Sequence, residues 1–249
     1  MTETLEPVEP VDLTPPPEGH DEREPTRFET LAPPVIDVLV VVGVMLFTFA
    51  QLHPSLLVAD TTPAGGDMGA HVWGPAYLRD HLLPTGRLTG WAPDWYAGFP
   101  AYQFYMVVPA LMIVLLNMGL QGWAAFLALG AAIALAVQAV RVPRYRRWLL
   151  VAAGAVALFG VGLPYGVAFK FVSISGLLAL PLACYAFGRL TSLPFPTPAL
   201  LAVASLAFLF NREPVEANTG NIIGGNVAST LAGEFSFSIS LAFAVLYLG

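Results

Sequence analysis

Apolar residues run in long blocks along this chain, and the charges collect in the stretches between them. The first block, Val35–Val58, is long enough for a transmembrane helix, which needs about 20 residues. Further blocks follow at Phe104–Met118, Trp123–Val140, Trp148–Leu163, Phe171–Phe187, Ala199–Phe210 and Phe235–Gly249. The pattern predicts an all-α polytopic membrane protein. Phe104–Met118 is short, contains Pro109 and follows a loop dense in aromatic residues, so a re-entrant or interfacial helix is expected there. The other blocks predict about six transmembrane helices.

The positions of the bases orient the blocks. Arg23 and Arg27 precede the first block and no base follows it until Arg79. The positive-inside rule therefore places the N-terminus in the cytoplasm of a multi-pass cell-membrane protein. Holding Phe104–Met118 on one side also brings Arg141, Arg144, Arg146 and Arg147 inside. On this reading 59–103 and 211–234 are outer loops, Pro164–Lys170 is a short outer turn, and Leu193–Pro198 turns on the inner face. Asp37, near the start of the first block, is expected close to the headgroups.

Composition supports this picture. Charged residues are 11% of the chain, against about 25% in a typical soluble domain. The net charge of −6 is misleading, because residues 1–34 carry nine acids and two arginines while the remainder carries eight acids and nine bases. That Pro- and Glu-rich tail cannot bury enough apolar surface to offset its ordering entropy, so disorder is expected over 1–34. The membrane domain then occupies 35–249. It ends inside an apolar block, which leads us to expect continuation in a longer protein. No basic patch suits a nucleic-acid backbone. Cys184 is the single cysteine, which excludes a disulfide within the chain.

Candidate chemistry gathers in the outer loops. Asp67 and His71 stand four residues apart after Gly65-Gly66, on one face of any helix starting there. Both side chains can ligate a metal, and either can move a proton. The simpler reading is an N-cap Asp on a helix from Asp67 to Leu83. Trp91, Trp95, Tyr96 and Phe99 form an aromatic cluster around the Asp94 carboxylate. Such a cluster is either a headgroup-depth belt or a surface on which sugar rings stack. Asn226 lies in a glycine- and amide-rich loop that ends at Glu234. There Glu234 is either a first-turn carboxylate favoured by the helix dipole or part of a site shared with Asp67 and Asp94. Lys170, the one lysine, either snorkels to headgroups or meets a lipid phosphate. His81 with Asp80 reads as a polar helix face.

Three strings carry a resemblance: Gly98-Phe99-Pro100-Ala101-Tyr102-Gln103-Phe104-Tyr105, Pro164-Tyr165-Gly166-Val167-Ala168-Phe169-Lys170 and Gly233-Glu234-Phe235-Ser236-Phe237-Ser238. They resemble a bacterial family described as 6-pyruvoyl-tetrahydropterin synthase-related integral membrane proteins. The label does not carry pterin chemistry with it, since no metal-binding histidine triad is present. One span, a long outer loop with an early Asp, a Trp-x-x-Asp-Trp-Tyr element and a Pro-containing apolar stretch together resemble the N-terminal half of GT-C-fold membrane glycosyltransferases. That resemblance implies a polyprenyl-phosphate sugar donor, a cell-envelope acceptor and an outward-facing site in a membrane-lipid environment. It implies Asp67 as catalytic base or metal-associated carboxylate; beside it we expect His71 and Asp94 to shape the sugar site and Glu234 to complete the polar face. Trp91, Trp95, Tyr96, Tyr102, Lys170 and Asn226 are the expected substrate-binding residues. Residues 119–163 depart from the pattern as an extra hairpin. The rival expectation is a non-catalytic membrane subunit, transporter or assembly factor whose helix bundle a partner completes. Transporters usually place ionisable groups at mid-membrane, whereas here the acids gather in the loops.

Overall fold

The computed structural model describes residues 27–120, 123–211 and 222–249. The disorder expected of the tail falls largely on 1–26, outside the described residues, as does the 212–221 part of the segment expected to be the second outer loop. Residues 27–34, expected in that tail, instead begin helix α1 (Arg27–Gln51).

The first apolar block is not one helix. Pro54 lacks an N–H and disfavours helical backbone in the residue before it. His53 accordingly turns left-handed at φ 52°, α1 ends at Gln51, and Pro54 starts the short α2 (Pro54–Val58). Helix α3 (Met68–Tyr77) runs on through a π turn at Leu78–Leu82 and a 3-10 turn at Leu83–Thr85. A small antiparallel ribbon then pairs β1 (Gly90–Ala92) with β2 (Phe99–Ala101), with Trp91 opposite Pro100. Pure α structure was expected, so this ribbon is an addition. The chain continues through α4 (Val107–Asn117), α5 (Trp123–Arg141), α6 (Arg146–Val161), α7 (Tyr165–Leu190) and α8 (Thr197–Leu209). It closes with the single turn α9 (Val227–Ser229), a π turn at Thr230–Glu234 and α10 (Phe235–Leu248).

Among the described residues, four segments are long and apolar enough to cross a membrane: Leu31–Gln51, Trp123–Arg141, Tyr165–Leu190 and Val227–Leu248. Helices α4, α6 and α8, at 11, 16 and 13 residues, fall short of the usual length. The bundle is organised around α7, of which 61% is buried against 17% for α1 and for α5. Small residues allow its neighbours to approach closely. A Cβ on Gly176 would stand 2.4 Å from the Ile239 backbone nitrogen of α10, and one on Gly188 would stand 2.8 Å from Pro198 of α8. The buried Asp37 lies 3.3 Å from the Tyr185 hydroxyl and 3.4 Å from Arg189 Nη1. The start of α1 therefore meets the end of α7, and the two helices run antiparallel.

The outer turn expected at Pro164–Lys170 is helical from Tyr165, because Pro164 is the cap before the first turn of α7. Lys170 Nζ donates to the carbonyls of Leu56 and Ala59 and to Thr61 Oγ1, and Gly166 N donates to Asp60. These bonds pin α2 and the segment after it to the head of α7. Helix α4 stays at the same end. Its last residue, Asn117, accepts from Arg79 and donates to Leu163 O at 2.9 Å. Its middle residue Ile113 packs with Met68, Phe169, Val172 and Phe235. Eleven helical residues rise only about 16 Å, roughly half a hydrocarbon core. Helices α5 and α6 form a hairpin tight enough to place Gly160 against Ala128. It joins the body at its base, where Leu120 N donates to Gly160 O.

Candidate functional site

The site begins at a glycine turn. Gly65 and Gly66 have φ of 100° and 50°, backbone that glycine adopts readily and L-residues resist. Gly66 lies flat on the π turn before α10, where a Cβ would come within 2.4 Å of Ala232 O. Asp67 N donates to the same carbonyl at 2.9 Å. The two loops expected to share a face thus dock directly. Asp67 occupies the N-cap position of α3, but its side chain makes no capping hydrogen bond. The position fits the capping expectation and the carboxylate does not; it lines a cavity instead.

One turn on, His71 faces the same cavity. Its ring sits edge-on between Tyr105 and Phe235, at centroid distances of 5.6 and 5.1 Å. Gly233, at φ 124°, fits behind the pair. A Cβ there would lie 3.1 Å from His71 Nε2 and 3.2 Å from Asp67 Cβ. Burial lowers the His71 pKa from its ordinary value, and the Asp67 carboxylate offsets this in part. An imidazole that resists protonation when folded binds fewer protons than it does unfolded. Stability is therefore full above the unfolded value of 6.5 and declines as pH falls from there toward the lowered folded value. We expect the thermal midpoint to drop as pH is taken from 7 toward 5, and His71→Gln to flatten part of that slope. A slope unchanged in the variant would mean that other groups carry it.

The cavity, of about 260 Å³, is walled by aromatic residues. Trp95 stacks on Trp73, Trp73 on Tyr77 and Tyr77 on His81, each at 4.8–4.9 Å. Tyr96 and Tyr102 complete the wall, while Met106, Pro109 and Ala110 give it an apolar side on α4. The ribbon that presents these rings is strained, with left-handed φ at Tyr96 (47°), Ala97 (62°) and Tyr102 (58°). Such strain persists where the surroundings over-determine it and tends to cluster at binding sites. The Tyr102 hydroxyl is buried without a protein partner, and burial holds its pKa well above the ordinary value.

Of the residues singled out from sequence, the structure brings Asp67, His71, Trp95, Tyr96 and Tyr102 together around this cavity. The others lie outside its lining. Asp94 is exposed on the loop beside Trp95, and Glu234 is exposed just past Gly233. Trp91 covers Gly98, where a Cβ would meet its ring at 2.1 Å, and its carbonyl accepts from Tyr77 Oη. Lys170 is held by the segment after α2. Asn226 is fully buried and caps α9 by accepting from Ser229 N at 2.9 Å. Sequence reasoning gave no site role to Trp73, Tyr105, Gly233, Phe235 or Ser236, although the last four stand in the strings that carry the resemblance. Trp73, Tyr77 and His81 follow one another at helical spacing, a signal that was available; Tyr105 and Gly233 carry none of their own.

Among the described residues, no three His, Cys, Asp or Glu side chains converge as a metal site. Asp67 and His71 provide two donors, too few for a metal cage built from protein alone, whereas Mg2+ is typically held by one or two carboxylates together with substrate phosphates and water. No family model, curated protein or solved structure matches the chain. The class it falls in is that of mostly helical proteins, with four helices among the described residues long and apolar enough to span a membrane.

Proposed function

We propose that the chain is a GT-C-like membrane glycosyltransferase that moves a sugar from a polyprenyl-phosphate donor to a cell-envelope hydroxyl on the outer face. The observation that supports this best is the pairing of Asp67 with His71 in a cavity walled by stacked aromatic rings. Rings of this kind bind sugar faces, and a carboxylate beside them can take a proton. In the reaction, Asp67 accepts the proton of the acceptor hydroxyl as its oxygen bonds to the anomeric carbon. The bond from that carbon to the donor phosphate breaks, and the phosphate leaves with the electron pair. His71 sets the position of Asp67, and Trp95 and Tyr96 hold the ring. In this proposal six segments cross: the four long apolar ones and the shorter α6 and α8. Helix α4 lies along the outer surface, so donor lipid reaches the cavity past Met106 and Pro109.

The test is reconstitution in liposomes with a radiolabelled polyprenyl-phosphate sugar, followed by transfer to a water-soluble polyol. Label appearing in the polyol supports the reading; donors of several sugars all left intact would sink it.

A second reading, a non-catalytic subunit whose bundle is completed by a partner, is favoured by one feature. The α5–α6 hairpin leaves Phe126 and Leu127 more than two-thirds exposed and touches the body chiefly at its base. A chain that yields no transfer alone but co-purifies with a helical membrane protein would favour this reading.

A further inference from the structure

The cavity wall contains no lysine or arginine among the described residues. Its one acid is Asp67, and the rest is aromatic, apolar or uncharged apart from the imidazole. Two bases on the surrounding elements are committed elsewhere. Lys170 is held by the Leu56 and Ala59 carbonyls, and Arg79 by Asp80 and Asn117. A phosphate inside would face a carboxylate and the negative faces of the rings, with no cation to compensate its lost hydration. A positively charged group would gain from both. The volume, about 260 Å³, lies just under the range of roughly 300–1,000 Å³ for drug-sized sites, which suits one ring better than an oligosaccharide.

We propose that this cavity selects a sugar ring carrying a protonated amine and keeps phosphate outside its mouth. The inference rests on the reading of the cavity as the sugar site and adds the class of sugar. The ammonium lies against Asp67. The ring stacks on the aromatic wall, and the unpartnered Tyr102 hydroxyl bonds a ring hydroxyl. Asp67 thus anchors the amine in the resting complex and remains the group nearest the acceptor.

Ligand-observed NMR titration of the full chain in detergent at pH 6.5 tests this with glucosamine, glucose and glucose 1-phosphate. Glucosamine should bind at least about tenfold tighter than glucose, as expected for a charge-assisted hydrogen bond. That difference should vanish in Asp67→Asn and persist in Asp94→Asn, which removes an exposed carboxylate outside the cavity. Equal affinity for glucose and glucosamine, or tightest binding of glucose 1-phosphate, overturns the amine selection while leaving a sugar site in place. Absence of binding by all three overturns both. A preference for glucosamine that survives in Asp67→Asn overturns the assignment of the amine to this cavity.

Discussion

Asp67→Asn is expected to lower sugar transfer by about a thousandfold while leaving expression and the thermal midpoint within a few degrees of the parent. A positioned general base contributes about 10²- to 10⁴-fold, and the amide cannot accept the proton. The fold should tolerate the change because the carboxylate makes no capping bond at the head of α3. What anchors the residue is its backbone N–H on Ala232 O, which the substitution retains. Asn is also a good N-cap residue, so the helix start is not weakened. Initial rates in liposomes, compared at matched reconstituted protein, measure the effect. Rates within tenfold of the parent would remove Asp67 from the chemistry. A variant that fails to insert would show a structural role for the carboxylate that its geometry does not suggest.

The central pair was legible in the sequence because helical periodicity alone puts residues four apart on one face, and glycines before Asp67 mark where that helix starts. The short α4 was legible too, since the apolar block that holds it, Phe104–Met118, is itself short. The rest depended on tertiary contacts that no local pattern encodes. Lys170 looked like a phosphate ligand at an outer turn, yet the first apolar block breaks at His53 and brings the Leu56 and Ala59 carbonyls to its ammonium. Asn226 looked like a binding amide in a glycine-rich loop and is instead fully buried, accepting from Ser229 N at the head of a single helical turn. Glu234 was the conspicuous residue of its segment because it is charged. The neighbour that reaches the site is Gly233, noticeable only once α10 is seen docked beside α3.

Gly233→Ala is accordingly expected to reduce transfer by about a hundredfold, the scale on which small displacements of reacting groups act. Two effects meet at this position. The backbone stands at φ 124°, which an L-residue adopts at a cost of about 1–3 kcal/mol. The new methyl would also lie 3.0 Å from His71 Cδ2 and 3.2 Å from Asp67 Cβ. Since His71 is held between Tyr105 and Phe235, the ring has little room to yield, and displacement passes to Asp67. Gly65→Ala separates the two effects, because Gly65 has a comparable φ of 100° but nothing within 4 Å of its Cβ direction. Both variants should lose stability, read as lower thermal midpoints in the same detergent. Only Gly233→Ala should lose transfer far beyond that, with Gly65→Ala staying within about tenfold of the parent. Equal losses in the two variants would trace the effect to loop strain and not to the seating of the Asp67–His71 pair. Full activity in Gly233→Ala would mean that the pair's close fit against the second loop is not required for function.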